Sequence, residues 1–190
     1  MAFGEFCKLI QSTHAKDFKV EAPKMIDLES LMDYELFVQA VCGVDNLIQN
    51  TYYVARQQED GEYRFSFIPW DMDQTFGMRW SGMDPLLVYE DYGGVEHHSL
   101  NFWVSDIVGN RNTDGYEDRI RERYTALRKT LLDDKEMIKR VNQAQALLTE
   151  SGAWVRNQQR WPEGAYSSVS RIRGFITERM KFLDEQYLVR

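Results

Sequence analysis

The sequence is poor in cysteine and proline and has no long apolar run. Its 190 residues include two cysteines, Cys7 and Cys42, and four prolines. Two cysteines are too few for a disulfide framework, and neither lies in a CxxC or Cys/His spacing typical of zinc sites. Without a run of about 18 apolar residues, the sequence predicts no membrane span. The first residues also lack the basic and apolar regions of a signal peptide.

Positively charged residues are fewer than negatively charged ones. The chain has 23 Lys and Arg against 30 Asp and Glu, which gives a net charge of -7. Proteins that bind nucleic acid normally concentrate positive charge on one face. The densest basic run, from Arg119 to Lys129, is interleaved with acidic residues and is typical of a solvated, salt-bridged helix face. The sequence therefore predicts no nucleic-acid partner, and it does not indicate an oligomeric state.

Apolar and aromatic residues are plentiful. Hydrophobic residues make up 43% of the chain and aromatic residues 13%. A chain of this length and composition can bury a substantial core, so it fits one large domain or one lobe of a larger one. We expect its five tryptophans to pack in the core or against a neighbouring lobe.

Apolar periodicity predicts a mostly helical α+β fold. Pro23 precedes and Gly43 follows a 3.6-residue repeat, which predicts a helix over roughly 27–42. Residues 51–56 and 63–68 are rich in β-formers, and the intervening Asp60-Gly61 predicts a β-hairpin.

The remaining chain is predicted to form a long loop followed by helices. Glycine and proline without a clear period predict an ordered loop over 78–98. Four helical repeats follow, near residues 100–108, 120–132, 137–148 and 169–183.

Two segments suggest chemistry, residues 43–50 and residues 68–77. In the first, Asp45 follows the predicted helix and Asn50 comes five residues later. In the second, Asp71 and Asp73 follow an apolar strand that the hairpin returns toward the first segment. An Asp, an Asn and a second acidic group in this order are what a kinase uses to hold a hydroxyl, magnesium and triphosphate together.

Each piece also has a purely structural interpretation. An Asp-Asn pair after a helix-ending glycine is typical of a turn with side-chain-to-backbone hydrogen bonds. The Asp71-x-Asp73 pair also fits a capped turn or a weak calcium loop. The combination of helix, Asp45, Asn50, hairpin, strand and Asp71 favours the kinase interpretation, because random turns do not supply that whole order.

The chain resembles CotH-type kinases, a family named for a bacterial spore-coat protein. Residues 45–53 and 69–77 look like the hallmark segments of that family, and the carboxy-terminal helices with Arg123-Tyr124, Arg160-Trp161 and residues 175–179 are similar to it as well. The resemblance covers the chain from about residue 30 to the end. It implies a protein-kinase-like fold and an atypical protein kinase that transfers phosphate from ATP to Ser or Thr of protein substrates.

The resemblance also implies residue roles. Asp45 would be the catalytic-loop Asp, Asn50 the accessory metal ligand, and Asp71 the Asp that binds Mg²⁺ or Mn²⁺ with ATP. Asp73 competes for the last role. A cell-surface or spore-coat location and a protein substrate with Ser or Thr hydroxyls are implied by the family in the same way.

The resemblance divides the chain into an amino-terminal extension or remnant over 1–26 and a carboxy-terminal kinase-like lobe over 27–190. Within the lobe, 27–77 hold the catalytic loop and hairpin, 78–98 the long loop, and 99–190 the helical bundle. Residues 3–20 contain lysines but no glycine-rich strand-turn-strand, and Gly43-Val44 stand where ordinary kinases have His-Arg. We therefore expect the chain alone to be nearly inactive without an amino-terminal lobe.

Two alternatives stay open at the sequence level. One is a non-catalytic binding or structural module that holds calcium or no metal at Asp71 and Asp73. Calcium takes six to eight oxygen ligands, so that module would bring further carboxylates or carbonyls to the pair. The other is a small-molecule phosphotransferase with the same arrangement of Asp, Asn and Asp.

Overall fold

The structure is a computed structural model, and it describes residues 2–11, 18–47, 49–79, 82–83, 88–89, 113–163 and 168–188. Most of the predicted loop over 78–98 and the predicted helix near 100–108 lie outside the described residues.

The described chain is mostly helical with one larger β-hairpin, as the sequence predicts. The amino-terminal helices are α1 (Ala2–Gln11), α2 (Phe18–Met25) and α3 (Leu28–Val41). A 3₁₀ turn (Asp45–Leu47) then leads to strands β1 (Thr51–Gln57), β2 (Tyr63–Pro69), β3 (Met78–Arg79) and β4 (Gly82–Met83). The carboxy-terminal helices are α4 (Tyr116–Arg128), α5 (Asp134–Glu150), α6 (Ala153–Arg160) and α7 (Val169–Tyr187). The sequence did not predict α6 as a separate helix.

Helix α3 is the element from which the candidate site begins. Its N-cap is Asp27, whose carboxylate accepts a hydrogen bond of 3.0 Å from the backbone N–H of Ser30. It ends at Cys42, which adopts a left-handed conformation with φ 57°. These bounds confirm the predicted helix to within one residue, and Leu31 and Leu36 on it are buried.

The hairpin pairs β1 with β2 in antiparallel register. Thr51 lies opposite Pro69 at the open end, and Gln57 lies opposite Tyr63 next to the turn. Gly61, with φ 88°, supplies the positive φ that the turn requires. An isolated two-stranded hairpin is marginally stable in water, so its packing on α3 holds it in place.

One apolar core joins the helices to the hairpin. Phe65 of β2 stacks on Phe6 of α1 with ring centroids 4.5 Å apart, and both are buried. Phe18 of α2 and Ile176 of α7 are buried in the same cluster. Residues of the 2–26 segment therefore contribute directly to the core that supports the hairpin.

Arg179 ties α7 to the last turns of α3. Its side chain is fully buried, and it donates hydrogen bonds of 2.8 Å to the backbone oxygen and to Oε1 of Gln39. A third bond of 2.8 Å goes to the backbone oxygen of Val88. This contact fixes the end of α3, and with it the start of the loop that carries Asp45.

Two of the tryptophans are exposed, so the expected placement in the core does not hold for them. Trp70 is 56% exposed and Trp161 is 60% exposed. Among the described helices, none is long and apolar enough to cross a membrane.

Candidate active site

The candidate site begins where α3 ends, and Gly43 allows the chain to turn tightly there. A Cβ at Gly43 would lie 3.0 Å from Oδ1 of Asn46 and 3.3 Å from Cε of Met72. The backbone oxygen of Gly43 accepts a hydrogen bond of 3.1 Å from the N–H of Asn46. A side chain at position 43 would therefore push apart the two segments that form the site.

Asp45 is buried and its carboxylate is held by two amides. The residue is 6% exposed. Gln49 donates a bond of 2.7 Å to Oδ1, and Asn50 donates one of 2.5 Å to Oδ2. Each carboxylate oxygen has a second lone pair, so the group can still accept a substrate hydroxyl proton. A carboxylate held in this way has the chemistry that a general base requires.

Asn46 joins the two segments that the sequence singles out. It is 1% exposed, and its side-chain amide donates to the backbone oxygens of Asn50 at 2.9 Å and of Trp70 at 2.8 Å. The Trp70 N–H also donates to the oxygen of Asn50 at 2.8 Å, which extends the hairpin ladder by one residue pair. Asp71 follows Trp70 directly, so the structure places it next to the loop that holds Asp45.

Two further backbone hydrogen bonds hold the second segment against the first. The N–H of Phe76 donates to the oxygen of Val41 at 2.7 Å, and the N–H of Val44 donates to the oxygen of Gln74 at 3.3 Å. Thr75 caps the intervening turn by donating from Oγ1 to the oxygen of Met72 at 2.8 Å. The described residues of 41–50 and 69–77 therefore form one hydrogen-bonded unit.

Left-handed backbone is concentrated in this unit. Among the described residues, five non-glycine residues have positive φ, and four of them are in the unit: Cys42, Asn50, Asp71 and Phe76. Asn and Asp adopt this region more readily than other non-glycine residues, and such conformations cluster at functional sites. The φ of 53° at Asn50 and of 52° at Asp71 set the directions in which their side chains leave the two segments.

Asn50, Asp71 and Asp73 carry oxygen atoms of the kind that a divalent cation of the magnesium type binds. The amide nitrogen of Asn50 is bonded to Asp45, whereas its amide oxygen has no hydrogen-bond donor among the described residues. Asp71 is exposed, and its carboxylate likewise has no donor among them. Asp73 is exposed and accepts a bond of 3.3 Å from Gln74. Carboxylate and amide oxygens are ligands that magnesium accepts.

The candidate metal ligands are few, which leaves coordination positions for other oxygen atoms. Within the described part of the chain, no three His, Cys, Asp or Glu side chains come together as a metal site. Magnesium usually takes one or two protein carboxylates and completes its shell with phosphate oxygens and water. The Oε1 atom of Gln74 is buried beside Asp73 without a partner among the described residues. An orphaned polar atom of this kind is expected where a ligand or its water completes the site.

Sequence reasoning missed the residues that position the catalytic candidates. Tyr34, on α3, donates a bond of 2.6 Å to the backbone oxygen of Asn46 and also contacts Oγ1 of Thr51. Neither Asn46 nor Gln49 was selected from the sequence. An Asn next to Asp45 was the available signal, but its partner Trp70 is 24 residues away along the chain.

The solvent side of the site is aromatic. Tyr52 is 52% exposed, and its ring lies 5.3 Å from that of Trp70 in an edge-to-face arrangement. Ile68, opposite Tyr52 in the hairpin register, is 43% exposed. An apolar surface therefore borders Asp71.

Comparison of the chain with models of known protein families identifies its family. Residues 2–183 match the family model described as CotH kinase protein. The chain belongs to the CotH kinase family. The match covers nearly the whole chain, including α1 and α2, and it confirms the resemblance seen in residues 45–53 and 69–77. No curated protein and no solved structure matches the chain.

Membership of the CotH kinase family implies a nucleotide-dependent, kinase-like protein and suggests a protein substrate. The spore-coat association carried by the family name applies to the family. The roles of Asp45, Asn50, Asp71 and Asp73, and the division of the chain at residue 26, stay predictions.

Proposed function

We propose that this chain carries the catalytic loop and metal-binding segment of an atypical protein kinase that transfers the γ-phosphate of ATP to Ser or Thr hydroxyls of a protein. The observation that carries this proposal is the hydrogen-bonded unit of residues 41–50 and 69–77. It holds the Asp45 carboxylate on the amide of Asn50, and Asp71 directly follows Trp70, whose backbone N–H donates to the oxygen of Asn50.

In this proposal Asp45 accepts the proton of the substrate hydroxyl. Its two oxygens are oriented by Gln49 and Asn50, so the carboxylate is already aligned before substrate arrives. Burial of the residue limits competing water at the base. Phosphoryl transfer depends mainly on positioning and charge neutralisation, which is what this arrangement supplies.

Asp71 and the amide oxygen of Asn50 would hold Mg²⁺ or Mn²⁺ in this proposal, and Asp73 is the competing carboxylate. The metal supplies neutralisation of phosphate charge when it is bound with ATP. The exposed pair Tyr52 and Trp70 offers aromatic surface on which a nucleobase can stack.

We also propose that the 190-residue chain by itself transfers phosphate slowly. Ordinary kinases cover the phosphates with a glycine-rich loop and hold them with a strand lysine. In the described part of the chain, β1 and β2 are joined by a turn with one glycine, Gly61, and β3 and β4 are two residues long each. The described strands therefore supply no equivalent of that loop.

Of the alternatives that the sequence leaves open, the calcium module receives less support. A calcium module needs more oxygen ligands around Asp71 and Asp73, and no third carboxylate joins them within the described residues. A small-molecule phosphotransferase would use the same Asp45, Asn50 and Asp71, and the choice of phosphate acceptor in the assay separates it from a protein kinase.

The test is phosphate transfer from ATP with magnesium or manganese, measured for the 190-residue chain and for the full product of its open reading frame. We expect phosphate on Ser or Thr of protein from the full product, and at least about a hundredfold less from Asp45→Asn. Asp60→Asn, in the exposed hairpin turn, is the matched control and should keep wild-type transfer. Equal transfer by wild type and Asp45→Asn would contradict the assignment.

A further inference from the structure

A groove lies between α3 and β2, on the side of the hairpin that packs against the helix. Its volume is about 530 Å³, within the range of ligand-sized pockets. Ser30, Asp33, Tyr34 and Phe37 line it from α3, and their spacing of three and four residues places them on one helix face. Phe67 and Pro69 line it from β2, and Asp27 and Glu29 line it from the first turn of α3.

The groove has an apolar floor. Tyr34 and Phe67 are 5% exposed each, and their rings lie 6.1 Å apart. Phe37 is 40% exposed although it belongs to a helix that is otherwise largely buried. The wall formed by Pro69 cannot donate a backbone hydrogen bond, which disfavours addition of a β-strand there. The groove therefore suits a side chain rather than a pairing strand.

The charged residues that line the groove are all acidic. They are Asp27, Glu29 and Asp33. Arg123 neutralises one of them through hydrogen bonds of 2.6 and 2.8 Å to Asp33, and these bonds are the main cause of the raised pKa of Arg123. Asp27 caps α3, whereas exposed Glu29 makes no hydrogen bond or ion pair within the described residues and adds only a smaller, coulombic attraction to Arg123. Three carboxylates against one guanidinium leave the groove with negative charge.

The groove shares a wall with the candidate active site. Tyr34, at its floor, holds the backbone oxygen of Asn46 in the catalytic loop. Pro69, at its edge, is followed by Trp70 and then by Asp71. A chain bound in the groove can therefore continue toward Asp45, and tethering would raise the local concentration of a phosphate acceptor on that chain.

We propose that this groove docks a segment of the protein substrate that has a basic side chain beside an apolar one, outside the residue that receives phosphate. The apolar side chain packs on Phe37 and Tyr34, and the basic one lies against Glu29. Charge complementarity and continuity with the site select this occupant over an acidic or purely apolar one. This proposal rests on the proposed function, because the occupant is a substrate only if the protein is a kinase. Binding of the segment to the groove does not require nucleotide.

The test measures binding of a short fluorescent peptide with arginines beside a leucine, by fluorescence anisotropy, in low salt and without ATP. Wild type should bind it and release it as salt rises, because exposed charge pairs are screened. Glu29→Lys and Phe37→Ser should each raise the Kd about tenfold. A second peptide with glutamates in place of the arginines should bind Glu29→Lys better than wild type.

Matched controls separate docking from general charge and hydrophobicity. Glu59→Lys changes an exposed carboxylate in the hairpin turn, and Val155→Ser removes an apolar side chain that is 54% exposed on α6. Both should bind the arginine peptide as wild type does. Circular dichroism confirms that each variant is folded, and the exposure of Glu29 and Phe37 makes folding of their variants the expected result.

The two proposals fail in different ways. If wild type does not bind the arginine peptide, or if Glu29→Lys and Phe37→Ser bind it as wild type does, the docking groove is wrong while phosphate transfer stands untouched. If the groove variants lose binding but the full product of the open reading frame transfers no phosphate to any acceptor, the groove is a binding surface and the kinase proposal is wrong.

Discussion

The side-chain nitrogen of Asn50 donates a hydrogen bond of 2.5 Å to Oδ2 of Asp45. Because nitrogen and oxygen share one amide carbon, this bond turns the oxygen of Asn50 away from Asp45 and leaves it available to a cation. This contact orients the proposed metal ligand and, together with the bond from Gln49, the proposed base. The left-handed φ of 53° at Asn50 is the backbone condition for that contact.

The first prediction separates Asp71 from Asp73 as the main metal ligand. Asp71→Asn should weaken Mn²⁺ binding by about tenfold or more, whereas Asp73→Asn should change it by less than about threefold. Asp73 already accepts a bond from Gln74, while Asp71 has no donor among the described residues. Asn tolerates the left-handed φ of 52° at position 71, so the backbone should not move.

Electron paramagnetic resonance of Mn²⁺ measures both affinities directly. The reverse order, with Asp73→Asn the weaker binder, would transfer the role to Asp73. If both variants bound Mn²⁺ with near-wild-type affinity, the assignment of a metal site to this segment would be wrong.

The second prediction concerns the side chain that joins the two segments. Asn46→Ala should lower the free energy of unfolding by about 2–4 kcal/mol, because it removes two buried hydrogen bonds and leaves the oxygen of Trp70 without that donor. Urea denaturation measures the loss. Asn142→Ala is the control, since Asn142 is exposed on α5 and its side chain, among the described residues, accepts one bond, from Arg173; its cost should stay below about 0.5 kcal/mol. Equal costs would show that Asn46 does not link the segments.

The third prediction concerns the buried guanidinium of α7. Arg179→Lys should destabilise the protein by about 3 kcal/mol, because one ammonium cannot reproduce the forked bonds to Gln39 and Val88. Arg171→Lys, on the exposed side of the same helix, should be nearly neutral. Thermal unfolding compares the two. A neutral Arg179→Lys would mean that the hydrogen bonds to α3 do not hold α7 in place.

The fourth prediction is a loss of stability at alkaline pH. Burial, and secondarily Asp184, raise the pKa of Tyr124 well above 10, and burial, with Glu35, does the same for Tyr116. A raised pKa means that the folded state keeps a proton that the unfolded state releases. The contribution of these two tyrosines to the free energy of unfolding is therefore complete below pH 10 and declines as the pH rises above 10.

Urea midpoints measured across that pH range check this prediction. In Tyr124→Phe the decline should be shallower, although hydrogen bonding to Asp184 is lost. Tyr63→Phe, in the exposed part of the hairpin, should decline as wild type does. A decline of wild-type steepness in Tyr124→Phe would show that Tyr124 does not cause it.

Local patterns predicted much of the fold. The repeat of Leu28, Leu31 and Leu36 marks α3, since its buried side is coded within the helix itself. Asp60-Gly61 marks the hairpin, because positive φ at a turn restricts residue choice. Helix α6 was missed, as Gly152 interrupts the repeat and no residue of the helix is buried.

The parts of the site that the sequence did not predict depend on contacts between residues that are far apart along the chain. The order of Asp45, Asn50 and Asp71 suggested a shared site, and the structure does hydrogen-bond the first two. The role of Asn46 rests on Trp70, which only the hairpin register brings near. Trp70 lies at the open end of the hairpin and is exposed, which its apolar character did not indicate.

The central claim is that this unit transfers a phosphoryl group, and position-specific labelling of ATP tests it most directly. The full product of the open reading frame is incubated with magnesium and ATP that carries label in either the γ- or the α-phosphate, with Asp45→Asn in parallel. We predict that γ-label alone enters protein and that Asp45→Asn loses it. Incorporation of α-label would show nucleotidyl transfer instead, and γ-label undiminished in Asp45→Asn would contradict the assigned base.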